Sequence, residues 1–219
     1  MRRLPEIVLC VSLVMGIPGI ASAAKNAKAP KSVAETLVEE QDTMIRQCNP
    51  SAEQQKAIKE KFQLKQKALE TWEQANAAKL TAAEEAAKTA RKGTDDAAKK
   101  KANGDLKALV QDRTQVAAEA DKAIVAVLSA EQQTTWAGFQ MAQTLLPRYK
   151  KANLTDDQTA KVRASCIIAA KDLATFAGDD RKDKQGRATV QKCLKWAIDN
   201  VILTPEQREI IVVKKPTPK

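Results

Sequence analysis

The side chains able to do chemistry in this 219-residue chain are carboxylates, amines and thiols, because it contains no histidine. That removes the commonest general base and the commonest transition-metal ligand. Carboxylates stand in pairs at Glu84/Glu85, Asp95/Asp96, Asp156/Asp157 and Asp179/Asp180, a combination that could serve acid–base work or hold a hard cation. Their places argue for a structural role, since each pair falls at an expected helix start, turn or solvated helix face. Asp179, Asp180 and Asp183 come closest to a calcium loop, but Arg181, Lys182 and Lys184 are interleaved with them and would repel the ion. No Cys-x-x-Cys pair, Gly-rich phosphate loop or Gly-x-Ser-x-Gly elbow occurs. The expectation is a protein that is not an enzyme and takes neither cofactor nor metal.

The chain opens with Arg2 and Arg3, an apolar run from Ile7 to Met15, a Pro18-Gly19 break and Ala21-Ser22-Ala23. That order reads as a signal peptide over 1–23, which predicts a periplasmic or secreted protein. The run is too short for a transmembrane anchor, and Cys10, set inside it, lacks the preceding small residues of a lipoprotein signal. Loss of the leader takes away Arg2, Arg3 and Glu6, so the formal charge moves from +10 to +9. A charge of this size attracts anionic partners without choosing among them. The Lys99-Lys100-Lys101 run has no aromatic residues interleaved for base stacking, so no specific nucleic-acid binding is expected.

Four segments share one helix-starting signal: Ser51-Ala52-Glu53-Gln54, Leu128-Ser129-Ala130-Glu131-Gln132, Leu154-Thr155-Asp156-Asp157-Gln158 and Leu203-Thr204-Pro205-Glu206-Gln207. In each, Ser or Thr can cap the backbone N–H of the third helical residue. That residue, Gln, reaches back to the N–H of the cap. The acid at the second helical position meets the positive end of the helix dipole. Pro205 sits at the first helical position, where its missing N–H costs nothing. The fourth helical residues are polar, so Leu128, Leu154 and Leu203 must pack against other helices.

Between these starts the apolar spacing is helical throughout. Ser32 and Glu35 form a further capping box before a helix over about 33–48, marked by Val33, Leu37, Met44, Ile45 and Cys48. Ile58, Phe62, Leu69, Trp72 and Leu80 line an outgoing helix, Lys92 to Asp95 turns the chain, and Leu106, Val110, Arg113, Ala117, Ala120, Ile124 and Val127 line the return at coiled-coil steps. Arg113 interrupts that seam, and its stem can lie over apolar neighbours with the charge in water. Pro147 kinks or ends the next helix, which carries Trp136, Phe139, Leu145, Leu146 and Tyr149. Val162 to Phe176 and Val190 to Val201 then form a second hairpin, turned by Gly178 to Gly186. With aromatic residues at only 3% and much of the apolar content in alanine, the fold predicted is all-α, an elongated pair of tandem helical hairpins with no sheet. The expected divisions are a disordered linker at 24–31, an N-terminal helix and long hairpin at 32–128, a second helical unit at 129–213 and a disordered tail at 214–219.

After export three cysteines remain, Cys48, Cys166 and Cys193. With the second hairpin's helices at about 155–177 and 187–202, Cys166 and Cys193 come to similar heights, which favours a disulfide between them. That bond would stabilise the fold by roughly 3 kcal/mol. The alternatives are two buried thiols, or a bond from Cys48 to one of them.

The motifs Leu154-Thr155-x-x-Gln158 and Leu203-Thr204-x-x-Gln207, with the Ser variant Leu128-Ser129-x-x-Gln132, resemble the LTxxQ family of periplasmic helical proteins, the Spy/CpxP-like group. The resemblance implies a helical protein, commonly a homodimer. It also implies binding of unfolded clients, or of an envelope stress sensor, without ATP, and the basic charge adds acidic envelope proteins to the expected partners. The function expected is an exported helical binding protein, chaperone or stress regulator. The alternative is a structural or spacer protein of the cell envelope with no client binding. An apolar strip left exposed beside basic residues would favour the first.

Overall fold

The computed structural model describes residues 32–211; the expected signal peptide, linker and tail lie outside the described residues. Among the described residues the chain is all-α, with no strand. The helices are α1 (Val33–Cys48), α2 (Ala52–Lys92), α3 (Asp96–Val125), α4 (Ala130–Leu145), α5 (Asp156–Ala174), α6 (Arg181–Ala197) and α7 (Pro205–Ile211). A 3-10 helix at Leu146–Ala152 follows α4, with Pro147 near its start, and a π turn at Ile198–Ile202 follows α6. No described helix is long and apolar enough to cross a membrane.

The described chain forms two compact units. One holds 32–45 and 50–127; the other holds 46–49 and 128–211. The last turn of α1 therefore groups with the C-terminal helices, where the sequence reading had placed all of 32–128 together. Within that second unit the Cys48 thiol donates to the Gln132 carbonyl at 3.6 Å.

In the first unit, α2 and α3 form the long antiparallel hairpin, joined at Gly93 to Asp95, whose carboxylate caps α3 by accepting the Ala97 and Ala98 N–H groups. The buried positions of α2 run Ile58, Phe62, Lys65, Leu69 and Trp72, alternating steps of four and three. Apolar spacing alone leaves a gap of a heptad between Phe62 and Leu69, and a lysine fills it. Lys65 is 5% exposed. Its ammonium donates to Glu40 of α1 at 2.9 Å and to Asp121 of α3 at 2.6 Å, and lies 5.5 Å from the centroid of the Phe62 ring. One cation thus ties three helices. Further along, the Trp72 indole N–H donates to Asp112 at 2.6 Å and Arg113 pairs with Glu73 at 2.7 Å. Arg113 interrupts the seam as expected, but its charge is held by a carboxylate of the facing helix as well as by water. Toward the tip the seam is alanine, and Ala87 is the buried residue there.

In the second unit, α4, α5 and α6 pack around Ala142, Tyr149, Val162, Cys166, Leu194 and Ile198. Gly138 allows α4 to lie directly on α5, since a Cβ there would stand 2.5 Å from the Ile167 Cα. The α5–α6 turn is shorter than the sequence indicates. Asp180 caps α6 by accepting the Asp183 N–H at 2.8 Å, so the helix begins at Arg181 and contains Gly186. This glycine serves packing and not turning: a Cβ at Gly186 would meet the Phe176 ring at 2.4 Å.

Burial works to lower the Lys65 pKa, but the charges and hydrogen bonds of Glu40 and Asp121 outweigh it and hold the amine above its ordinary value. Lys65→Met should lower unfolding free energy at neutral pH by about 2 kcal/mol, less than the ~3–5 kcal/mol of a fully buried pair because Asp121 is half exposed. A folded pKa raised above the unfolded one means the stabilisation is whole below about pH 10.4 and is lost as pH rises through the folded value. Denaturant titrations of wild type and variant should therefore converge in strong alkali; equal midpoints at pH 7 would contradict the assignment.

Candidate functional site

All four repeated signals form closed capping boxes. Ser51, Ser129, Thr155 and Thr204 each accept the N–H of the glutamine three residues on, at 3.2–3.3 Å, through the side-chain hydroxyl oxygen. The glutamine Oε1 accepts the N–H of the cap at 2.9–3.0 Å. Two of the starts are entered through an asparagine in the left-handed region two residues before the cap, Asn49 (φ 44) and Asn153 (φ 47), a conformation asparagine tolerates better than most side chains. Hydrogen bonds to the Thr204 side chain and to the helix-start backbone hold the Glu206 carboxyl below its usual pKa. Leu128 and Leu203 are buried and Leu154 partly so, the last two in the second unit's core; Pro50 takes the leucine's place before Ser51 and is buried as well.

A capping box uses only one oxygen of the glutamine, and in this chain the amide nitrogen works too. Gln54 Nε2 donates to the Val127 carbonyl at 3.0 Å, one residue before Leu128. Gln158 Nε2 donates to the Ile202 carbonyl at 2.9 Å, one residue before Leu203, and Gln207 Nε2 donates to the Ala152 carbonyl at 3.0 Å, two before Leu154. These three glutamines therefore each fasten a helix start to the segment leading into another. Gln158 and Gln207 also face each other, donating reciprocally at 2.7 and 3.0 Å. Each amide of that pair thus makes two bonds through nitrogen and two through oxygen, its full capacity. Gln158 is 8% exposed, so the pair sits where an unmade bond is costly. The sequence carried a sign of this. Glutamate serves a capping box as well as glutamine does, yet all four third positions are Gln.

The cysteines differ from the bond expected: Cys48, Cys166 and Cys193 are all free. Cys166 is fully buried in the core, whereas Cys193 is exposed on the outer face of α6. Its place on the helix is the reason: Cys193 stands one residue, about 100° of turn, before the buried Leu194, off the face that packs on the core. Burial pushes the Cys48 and Cys166 thiols up to about 11. Beside Cys166, burial and the hydrogen bond to Asp199 push the Tyr149 hydroxyl up to about 12. These groups stay protonated and inert at neutral pH.

A surface groove lies on the first unit's hairpin. Leu64, Lys67, Ala68, Thr71, Trp72, Ala75 and Asn76 of α2, with Val116 of α3, line a shallow groove of about 510 Å³. Leu64 is 58% exposed at its edge, and Lys67 puts a positive charge beside it. Apolar periodicity did not single out Leu64, because the leucine stands off the buried seam.

Replacing Gln158 by Glu separates the two roles of the motif. A glutamine that only caps would tolerate the change, since glutamate suits both the box and the helix dipole. Here the carboxylate would face the Gln207 oxygen and the Ile202 carbonyl without a proton to donate, and stability should fall by about 2 kcal/mol at pH 7. Acceptors around it would raise the folded-state pKa of that Glu, so its deficit relative to wild type should shrink as pH falls and be least below about pH 4.3. Thermal melts of both proteins at several pH values check this; an unchanged or raised melting temperature for Gln158→Glu would rule out the shared amide bonds.

No family model, curated protein or solved structure matches the chain.

Proposed function

We propose that this chain is an exported, ATP-independent binding protein that holds unfolded or acidic proteins of the cell envelope in the groove between α2 and α3. The observation that carries the reading is the groove itself, which the exposed Leu64 lines together with Trp72 and Lys67. An apolar strip of this kind retains a loosely structured client, and a formal charge of +9 after loss of the leader gathers acidic ones. The resemblance of its capping motifs to the LTxxQ family and the leader-like N-terminus support the same reading.

The test is suppression of aggregation of a reduced, unfolding client at stoichiometric amounts without nucleotide. Protection should weaken between 0.1 and 1 M salt, as the Debye length falls from about 10 to about 3 Å, but not vanish. Leu64→Ser should require several-fold more protein for equal protection while changing stability by no more than about 0.5 kcal/mol, because Leu64 is mostly in water. Performance no better than an equally basic control protein would leave the structural, spacer reading in its place.

A further inference from the structure

Of the three tryptophans, Trp72 and Trp136 are 7% and 5% exposed, whereas Trp196 on α6 is 62% exposed. The opposite side of α6 is committed to the core through Val190 and Leu194. Lys182, Gln185, Thr189, Lys192 and Trp196 follow one another at steps of three and four, so they share one outward stripe, and all are exposed. Val201, in the π turn beyond, is 69% exposed.

The charge on this helix is one-sided. Its residues include six bases and one acid, Asp183, which turns inward to accept the Gly178 N–H. Arg187 is also turned away, donating to the Phe176 and Gly178 carbonyls at 2.6 Å, and Lys195 pairs with Asp199. Asp179 and Asp180 stand before the first turn, where Asp180 is engaged as the cap. That leaves Arg181, Lys182, Lys184 and Lys192 exposed, and no ion pair is made by them among the described residues.

We propose that the outward face of α6 docks peripherally on an anionic lipid surface. Trp196 enters the headgroup boundary, while Arg181, Lys182 and Lys192 meet the lipid phosphates. Indole prefers that boundary because its ring is apolar and its N–H still finds a partner there. Lysine stems lie along the apolar layer with the ammonium in the headgroups. A lone indole offers no run of stacking platforms for single-stranded nucleic acid. A single helix face also offers no pocket of the sort that anchors a protein hot spot. The proposal stands apart from the client reading, which rests on the α2/α3 groove, so either can fail alone.

Trp196 supplies its own readout. The full chain is titrated with vesicles of phosphatidylethanolamine and phosphatidylglycerol, and with phosphatidylcholine vesicles as the neutral control. On the anionic vesicles, emission should shift to the blue and be quenched by brominated lipid. Both changes should be absent with phosphatidylcholine and with Trp196→Phe, whose remaining tryptophans are buried. Joint replacement of Arg181, Lys182 and Lys192 by Gln should weaken binding roughly 100-fold, and 1 M salt should weaken it in the wild type. Circular dichroism confirms that these surface variants remain helical. Unchanged emission, or equal quenching in Trp196→Phe, overturns the proposal. So does an equal shift with soluble polyglutamate, which would assign the face to acidic protein.

Discussion

A buried primary amide has four hydrogen-bonding positions to fill, and Gln158 and Gln207 fill all four on each, two by pairing with each other and two with backbone groups. That constraint organises the C-terminal unit. The bonds to Thr155 and Thr204 start α5 and α7, and the bonds to Ile202 and Ala152 fasten the ends of the π turn and the 3-10 helix that lead to Leu203 and Leu154. With those leucines placed, Tyr149, Val162 and Ile198 close over Cys166. The repeated motif is thus a connector between helix starts as well as a cap, and the amide, able to donate and accept at once, is what a carboxylate cannot replace.

The hairpin unit meets the same problem with charge. An alanine-rich seam buries little apolar area per turn, so polar ties recur along it: Lys65 to Asp121, Trp72 to Asp112 and Glu73 to Arg113. From the first tie to the other two, residue numbers rise on α2 as they fall on α3, so the ties fix antiparallel register where alanine alone would allow slippage. Lys65 adds Glu40 and so fastens α1. Leu64, one residue before that ammonium, turns off the buried seam and stays exposed beside Val116 of α3.

The helical class, the capping boxes and the hairpin turn at Gly93 were legible because each depends on local chemistry: a hydroxyl three residues before an amide, apolar steps of three and four, a glycine after an Ala/Lys run. What escaped the sequence was non-local. Lys65 reads as an ordinary surface lysine until Glu40 and Asp121, 25 and 56 residues away, are seen against it. Gly186 reads as a turn until Phe176 is found over it. From that reading followed the late start assigned to α6, while the Cys166–Cys193 bond rested on height alone and the exposed face of Cys193 leaves it unformed. The glutamine pairing was half visible, in a preference for amide over acid that capping alone does not require.

A double-mutant cycle on Gln158 and Gln207, each replaced by Ala singly and then together, tests most directly whether the motifs act as a pair. If the amides hold each other, the second substitution costs less once the first is made, and the coupling from chemical denaturation should be about 1–2 kcal/mol. Additive losses, within about 0.3 kcal/mol, would show two independent helix caps and contradict the account.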